Sequence, residues 1–364
     1  MMQRCHFVRF LTLVFLFWGT APLLADEIHH KKAKKTSRFF MDVEISRITY
    51  STVYFKYMDS GMRRAGAQEE KLSNIKEIVF TYKPSSYMRA EEDERRGMYK
   101  DAIKYYEKAL KERKAAAWVS QYCYYNIAQC YLRMGKRAEA MKSFQALLKK
   151  ESDSRFYGEA YTAMARIHVS LGDTAAAMSA LDTLIATAGR TELADEWGYQ
   201  AKLEKAGFLE NQSKTGPALK LYQGVASDSG SSYPGISRMA KLGEARCLQK
   251  EGKASQSRTI LKQVLQAAGS EEMEVLAGAY NGIGGYHVSQ GEWKDALLAY
   301  LRVVTLYEGV QSQMPEALFN SAKCFHVLSD QEGNPEWRKR AVSLYGRLKA
   351  QYGGSPYARM NYKK

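Results

Sequence analysis

The side chains most able to do chemistry in this chain are its histidines, cysteines and clustered glycines, and their spacing decides what they can do. His168, His287 and His326 are the internal histidines. Two histidines four apart on one helix with an intervening glutamate would hold a hydrolytic zinc, but no H-E-x-x-H is present. The three histidines are read as helix-packing side chains, and no metal ligand is assigned. Cys123, Cys130, Cys247 and Cys324 contain no C-x-x-C pair. Cys123 and Cys130 are separated by about 10 Å of helical rise at ~1.5 Å per residue, more than a disulfide spans. The cysteines are therefore expected to be free, buried and apolar in role. Gly282-Ile283-Gly284-Gly285 has part of a nucleotide-loop pattern, but the further glycine and a Walker lysine are missing. No serine stands in G-x-S-x-G. No catalytic residue and no cofactor is assigned, and the chain is read as a non-enzyme.

The elements around these residues explain the missing chemistry. The 364 residues include 45% hydrophobic and 26% charged side chains, as in a folded chain rather than a disordered one. The net charge is +15 and is unevenly placed. Residues 95–150 carry 14 basic and 4 acidic side chains, 151–336 carry 17 and 23, and 337–364 carry 8 and none. Basic ends on a mildly acidic middle point either to solvated helix faces or to an acidic partner.

The first 25 residues read as a signal peptide: Arg4, His6 and Arg9, then an apolar run from Phe10, then Ala21-Pro-Leu-Leu-Ala25. A helix from Phe10 to Leu24 would be roughly 22 Å long, short of a ~30 Å hydrocarbon core. Cleavage after Ala25 and export to the periplasm or beyond are expected, with no membrane span remaining. Leu23 at the −3 position keeps an uncleaved membrane anchor as the alternative. Residues 26–40, with His29, His30 and five Lys or Arg, are read as a basic disordered tether. Residues 41–84 then form a small β-module of three or four strands. Its signals are Val43, Ile45 and Ile48, the run Val53–Tyr57 with a turn at Asp59-Ser60-Gly61, and Ile75–Tyr82. It resembles the small SH3- or Sm-like modules that precede repeats.

From residue 85 to 352 the pattern is helical and repeated. Seven anchors recur 37 to 45 residues apart: Ala102, Ala140, Ala177, Ala218, Ser257, Ala296 and Ala341. Four and seven residues after each stands an apolar or aromatic side chain, such as Tyr106 and Ala109, or Phe144 and Leu147. These offsets put three side chains on one helical stripe. Twelve residues before the first six anchors lies a small residue: Ala90, Ala128, Ala165, Ala206, Ala245 or Gly284. On a preceding helix it lets two backbones approach to ~8–10 Å. Five residues before the anchor comes Gly97, Gly135, Gly172, Gly252 or Gly291, where a left-handed cap ends that helix. Repeat 4 has Ser213 there, and repeat 7 carries an insertion around 328–336.

This constellation resembles the tetratricopeptide repeat family, in its long-period exported bacterial form. Tyr124, Ile127, Ala128, Tyr131, Gly135, Ala140 and Phe144 fit the motif best. The resemblance implies a mainly α fold: a right-handed α-solenoid of about seven helix pairs after the β-module, with 353–364 left as a basic C-terminal tail. It also implies a scaffold for protein–protein interaction. By the family's register the concave groove would present Tyr125, Gln129, Arg166, Arg246, Asn281 and Lys323. The expected partner is a protein or peptide of the cell envelope. The alternative is an acidic polymer or lipid headgroups on the basic ends, and nucleic acid is the least expected partner.

Overall fold

The computed structural model describes residues 26–30, 39–57, 66–81, 83–112, 116–191 and 193–363. The expected signal segment and the turn at 59–61 lie outside the described residues. The chain divides into two compact units, 1–155 and 156–364.

The first unit opens with five antiparallel strands: Asp26–His30 (β1), Phe39–Ile48 (β2), Thr52–Tyr57 (β3), Gln68–Lys71 (β4) and Ile75–Val79 (β5). Their order is β4-β3-β2-β1-β5, and a one-turn helix at Leu72–Asn74 carries the chain from one edge strand to the other. Val43, Ile45, Val53 and Phe55 point inward at period two. A bulge between Ile45 and Arg47 shifts the phase, so Ile48 is the next residue buried.

One strand departs from the sequence reading, and the fourth strand of the expected module comes from a stretch that gave no strand signal. β1 lies in the stretch taken for a tether, and it is an inner strand. Its core content is a single residue, fully buried Ile28, too little to show as alternation. Asp26 closes the sheet instead: its carboxylate accepts hydrogen bonds from Ile45 N at 3.4 Å and Thr81 N at 3.0 Å. β4 reads Gln-Glu-Glu-Lys and is polar because it is an edge strand.

Two helix pairs complete this unit: Ser85–Arg95 (α1) with Tyr99–Ala109 (α2), and Ala117–Arg133 (α3) with Arg137–Lys150 (α4). Sheet and helices share one core. Phe80 stacks on Trp118 with ring centroids 3.9 Å apart, and Tyr87 meets the same indole edge-on at 5.2 Å. Gln121 Nε2 donates to Ile48 O at 2.9 Å, while its Oε1 accepts from Ser154 Oγ at 3.0 Å. A buried amide satisfied on both sides fixes the sheet on the helices.

The second unit holds five further pairs: Tyr157–Ser170 (α5) and Thr174–Ala188 (α6), Asp195–Asn211 (α7) and Thr215–Asp228 (α8), Pro234–Lys250 (α9) and Ala254–Ala267 (α10), Met273–Ser289 (α11) and Trp293–Leu306 (α12), and Met314–Glu332 (α13) and Pro335–Tyr352 (α14). All seven anchors of the chain are fully buried. The five recurring glycines have φ between +72° and +80°, and Ser213 adopts the same left-handed region at +60°. Each turn is closed by the same bond, as from Lys136 N to Tyr131 O at 2.9 Å and Glu292 N to His287 O at 2.9 Å. Where the small residue is glycine the approach is tight: a Cβ on Gly284 would lie 2.6 Å from the Tyr300 ring. In repeat 7 the insertion lengthens α13 and moves the left-handed cap to Gly333, at φ +65°.

The C-terminal residues fold back as a short helix, Pro356–Arg359 (α15). Tyr345 Oη donates to Ala358 O at 3.2 Å, and Tyr362 packs on the Tyr345 ring at 4.7 Å. Among the described residues the four cysteines, Cys123, Cys130, Cys247 and Cys324, are free and buried. Burial pushes the Cys123, Cys130 and Cys324 thiols up to about 12 and Cys247 to about 11, which removes the thiolate needed for reactivity. Among the described residues no helix is long and apolar enough to cross a membrane.

Candidate partner-binding surfaces

In each unit polar groups that could receive a partner gather on the first helices of the pairs and on the tyrosines of the second helices. In the first unit a groove of about 690 Å³ is lined by Lys83, Glu91, Glu94, Arg95, Tyr99, Tyr106, Asn126 and Arg133. Its floor is built by the repeat register. Tyr106, four residues after its anchor, donates to Glu94 Oε2 at 2.8 Å, and Asn126 Nδ2 reaches Tyr106 Oη at 3.2 Å and Tyr87 Oη at 3.3 Å. Burial and the Glu94 charge push the Tyr106 hydroxyl far above the usual tyrosine range, so it stays protonated. Lys83 is held by Glu91 at 2.8 Å, whereas exposed Arg133 forms no ion pair among the described residues.

The second unit repeats this floor and adds cations. Tyr222 Oη donates to Glu210 Oε2 at 3.1 Å. Arg246, from the next pair, reaches the same carboxylate through Nη2 at 3.1 Å and Nε at 3.3 Å, and Lys250 Nζ reaches it at 2.9 Å. Burial alone would raise the Glu210 pKa, but Arg246 and Lys250 outweigh it and hold the carboxyl below its ordinary range. Glu316, on α13, accepts a hydrogen bond from Tyr357 and feels the charges of Arg246 and Glu210. There burial dominates, and the carboxyl is pushed up. Two cations, two carboxylates and two phenols thus meet in one unit, contributed by α7, α8, α9, α13 and α15.

The six residues expected on the groove have different fates. Tyr125 is half-buried, edge-on to Phe144 at 6.2 Å. Gln129 and Lys323 are half-exposed. Arg166 is exposed and paired with Glu204 of the next helix pair. Arg246 belongs to the cluster above. Asn281 is buried at 2% exposure and donates to Gln313 O at 3.1 Å, so it braces neighbouring pairs. Sequence reasoning missed Glu94 and Glu210. Both stand eight residues before an anchor whose residue at plus four is tyrosine, but Val288 and Gly333 stand there before Tyr300 and Tyr345, so the offset alone does not single them out.

Comparison with known proteins agrees with this architecture. Tetratricopeptide repeat family models match residues 95–158 and 158–188. None of the curated proteins matches the chain. A tetratricopeptide repeat protein from Parabacteroides merdae has a similar solved structure, with 16% identity, a TM-score of 0.52, and coverage of 74% of this chain and 94% of its own. The apo form of RapI is similar at 12% identity and TM-score 0.54, over 73% of this chain and 98% of that one. The apo form of the quorum sensor NprR from B. thuringiensis is similar at 16% identity and TM-score 0.52, over 71% and 75%. At such identities the likeness is one of fold: tetratricopeptide-like helix pairs in a solenoid arrangement, here preceded by a five-stranded β-module.

Proposed function

We propose that this chain is a non-catalytic scaffold of the cell envelope that binds an extended protein segment along the first helices of its repeats. The carrying observation is the pair of polar floors, Tyr106–Glu94–Asn126 and Tyr222–Glu210–Arg246, each built by the repeat register on a fully buried anchor. Preformed helices bind without ordering cost on their own side, and fixed phenols and cations give an extended chain its register. Residues 1–25 support export, by composition. An acidic polymer at the basic C-terminal block is less well supported, because Arg338, Lys339 and Arg347 pair with Asp330, Glu336 and Glu308.

The test is crosslinking of the full chain in intact cells, followed by mass spectrometry. A mature N-terminus at Asp26 and a crosslinked protein lost in Arg133→Glu or Arg246→Glu, both still folded by circular dichroism, are expected. A chain retaining Met1 in the membrane fraction overturns the export reading. A partner captured equally by both variants overturns the groove.

A further inference from the structure

The turn of repeat 6 brings three ligand-bearing side chains together. His287 closes the last turn of α11, Gly291 reverses the chain at φ +74°, and Glu292 and Asp295 open α12. His287 Nδ1 lies 2.6 Å from Glu292 Oε2, and one ligand atom from each of the three residues falls within 4.8 Å of the others. Among the described residues no other group of three such side chains converges like this. The Glu292 side chain does not cap its helix, and neither carboxylate has a Lys or Arg ion-pair partner among the described residues. Both carboxylates are exposed, so a cation can reach them without displacing a Lys or Arg ion pair.

The same turn in repeat 3, and a histidine–carboxylate pair within α13 of repeat 7, supply internal controls. In repeat 3, His168 Nδ1 lies 3.8 Å from Asp173 Oδ2, but Ala176 stands where repeat 6 has Asp295. In repeat 7, His326 Nε2 is 3.6 Å from Asp330 Oδ2, and Arg338 already occupies that carboxylate at 2.5 Å. Among the described residues only repeat 6 brings together one nitrogen and two carboxylates that have no Lys or Arg partner.

We infer that His287, Glu292 and Asp295 form a binding site for a divalent first-row cation, Zn²⁺ being the best match. Imidazole with carboxylates suits borderline metals, and ligand atoms ~2.0–2.2 Å from a tetrahedral zinc stand ~3.3–3.6 Å apart, within reach of side-chain rotation here. Water completes the coordination on the exposed side. The cation ties the end of α11 to the start of α12, so its role is to stiffen repeat 6 and not to catalyse. The cysteines do not compete, since their thiols are buried and protonated.

Titration of chelator-stripped full chain with Zn²⁺ by calorimetry near neutral pH tests the assignment, with Co²⁺ absorption as the reporter of nitrogen and oxygen ligands. One equivalent is expected to bind and to raise the thermal midpoint. Affinity should fall at least tenfold in Asp295→Asn and be abolished in His287→Ala, while His168→Ala is unchanged. Asp295 is exposed, so its variant keeps the test valid even where His287→Ala folds poorly. No saturable binding overturns the site. So does binding that survives both repeat 6 variants and disappears with His29→Ala, because His29 and Glu27 form another histidine–carboxylate pair, 3.0 Å apart.

Discussion

The two units bury apolar surface by opposite strategies. The first relies on bulky aromatics brought together from far along the chain: Phe80, Tyr87, Tyr106 and Trp118, with Gln121 bonded to Ile48 across 73 residues. The second packs each helix pair on the next, with small residues and aliphatics such as Ala165, Ala177, Leu181 and Leu184 in repeat 3 and aromatics such as Tyr300, Phe319 and Phe325 in its last repeats. One is a core with a centre; the other is a row of nearest-neighbour interfaces. Damage should spread in the first and stay local in the second.

Trp118→Ala is the largest expected break in that contrast. It removes the indole on which Phe80 and Tyr87 pack and should cost ~3–5 kcal/mol. Hydrogen exchange should show β1–β5 and α1–α3 losing protection together; loss confined to α3 would refute a shared core. In the second unit Ala165→Leu should cost ~1–3 kcal/mol by overpacking. Exchange should rise in α5–α7 while α11–α14 keep their protection. Spreading to α14 would show that the row is more cooperative than its contacts imply.

The turns give a smaller and signed effect. Gly172→Ala forces a side chain into a left-handed cap and should cost ~1 kcal/mol, whereas Ser213→Gly relieves that strain and should stabilise by a few tenths to ~1 kcal/mol. Thermal midpoints moving in opposite directions confirm the common turn; parallel movement refutes it.

The smallest effect is electrostatic. Glu210, with its pKa lowered, stabilises the second unit above the ordinary glutamate range, and that contribution is lost as pH falls through the folded value. Glu316, with its pKa raised, has the opposite sign: its cost appears as pH rises through and above the unfolded value. Near neutral pH, Glu210→Gln should therefore lower the midpoint and Glu316→Gln should leave it unchanged or raise it. Acid titration of each variant separates the two.

What the sequence made legible follows from what repetition makes visible. Anchors, small residues and glycines recur at fixed offsets, so each repeat lends weight to the others; Ser213 could be placed only because five glycines defined its register. β1 and β4 have no such support. One contains a single core residue and the other is a polar edge, and both are strands because of their neighbours. The polar contacts of the expected groove residues were not legible, for a related reason. Helical register assigns a face to a residue but not whether a neighbour reaches across to it. Asn281, expected on the groove, is buried and bonded to Gln313. Glu94 and Glu210 were hidden because acidic residues in helices are usually solvated, and only the tyrosine twelve residues later gives them a buried role.

The uniform caps inside the pairs have a mechanical consequence. Pulled from its ends, such a chain should yield at the joints between pairs before the turns within them. Each hairpin released frees a similar length, about 13 nm at ~3.4 Å per residue for a repeat of roughly 39 residues. The force–extension trace of the second unit should thus resemble a staircase of even treads, and the shared core of the first unit should appear in it as one tall riser.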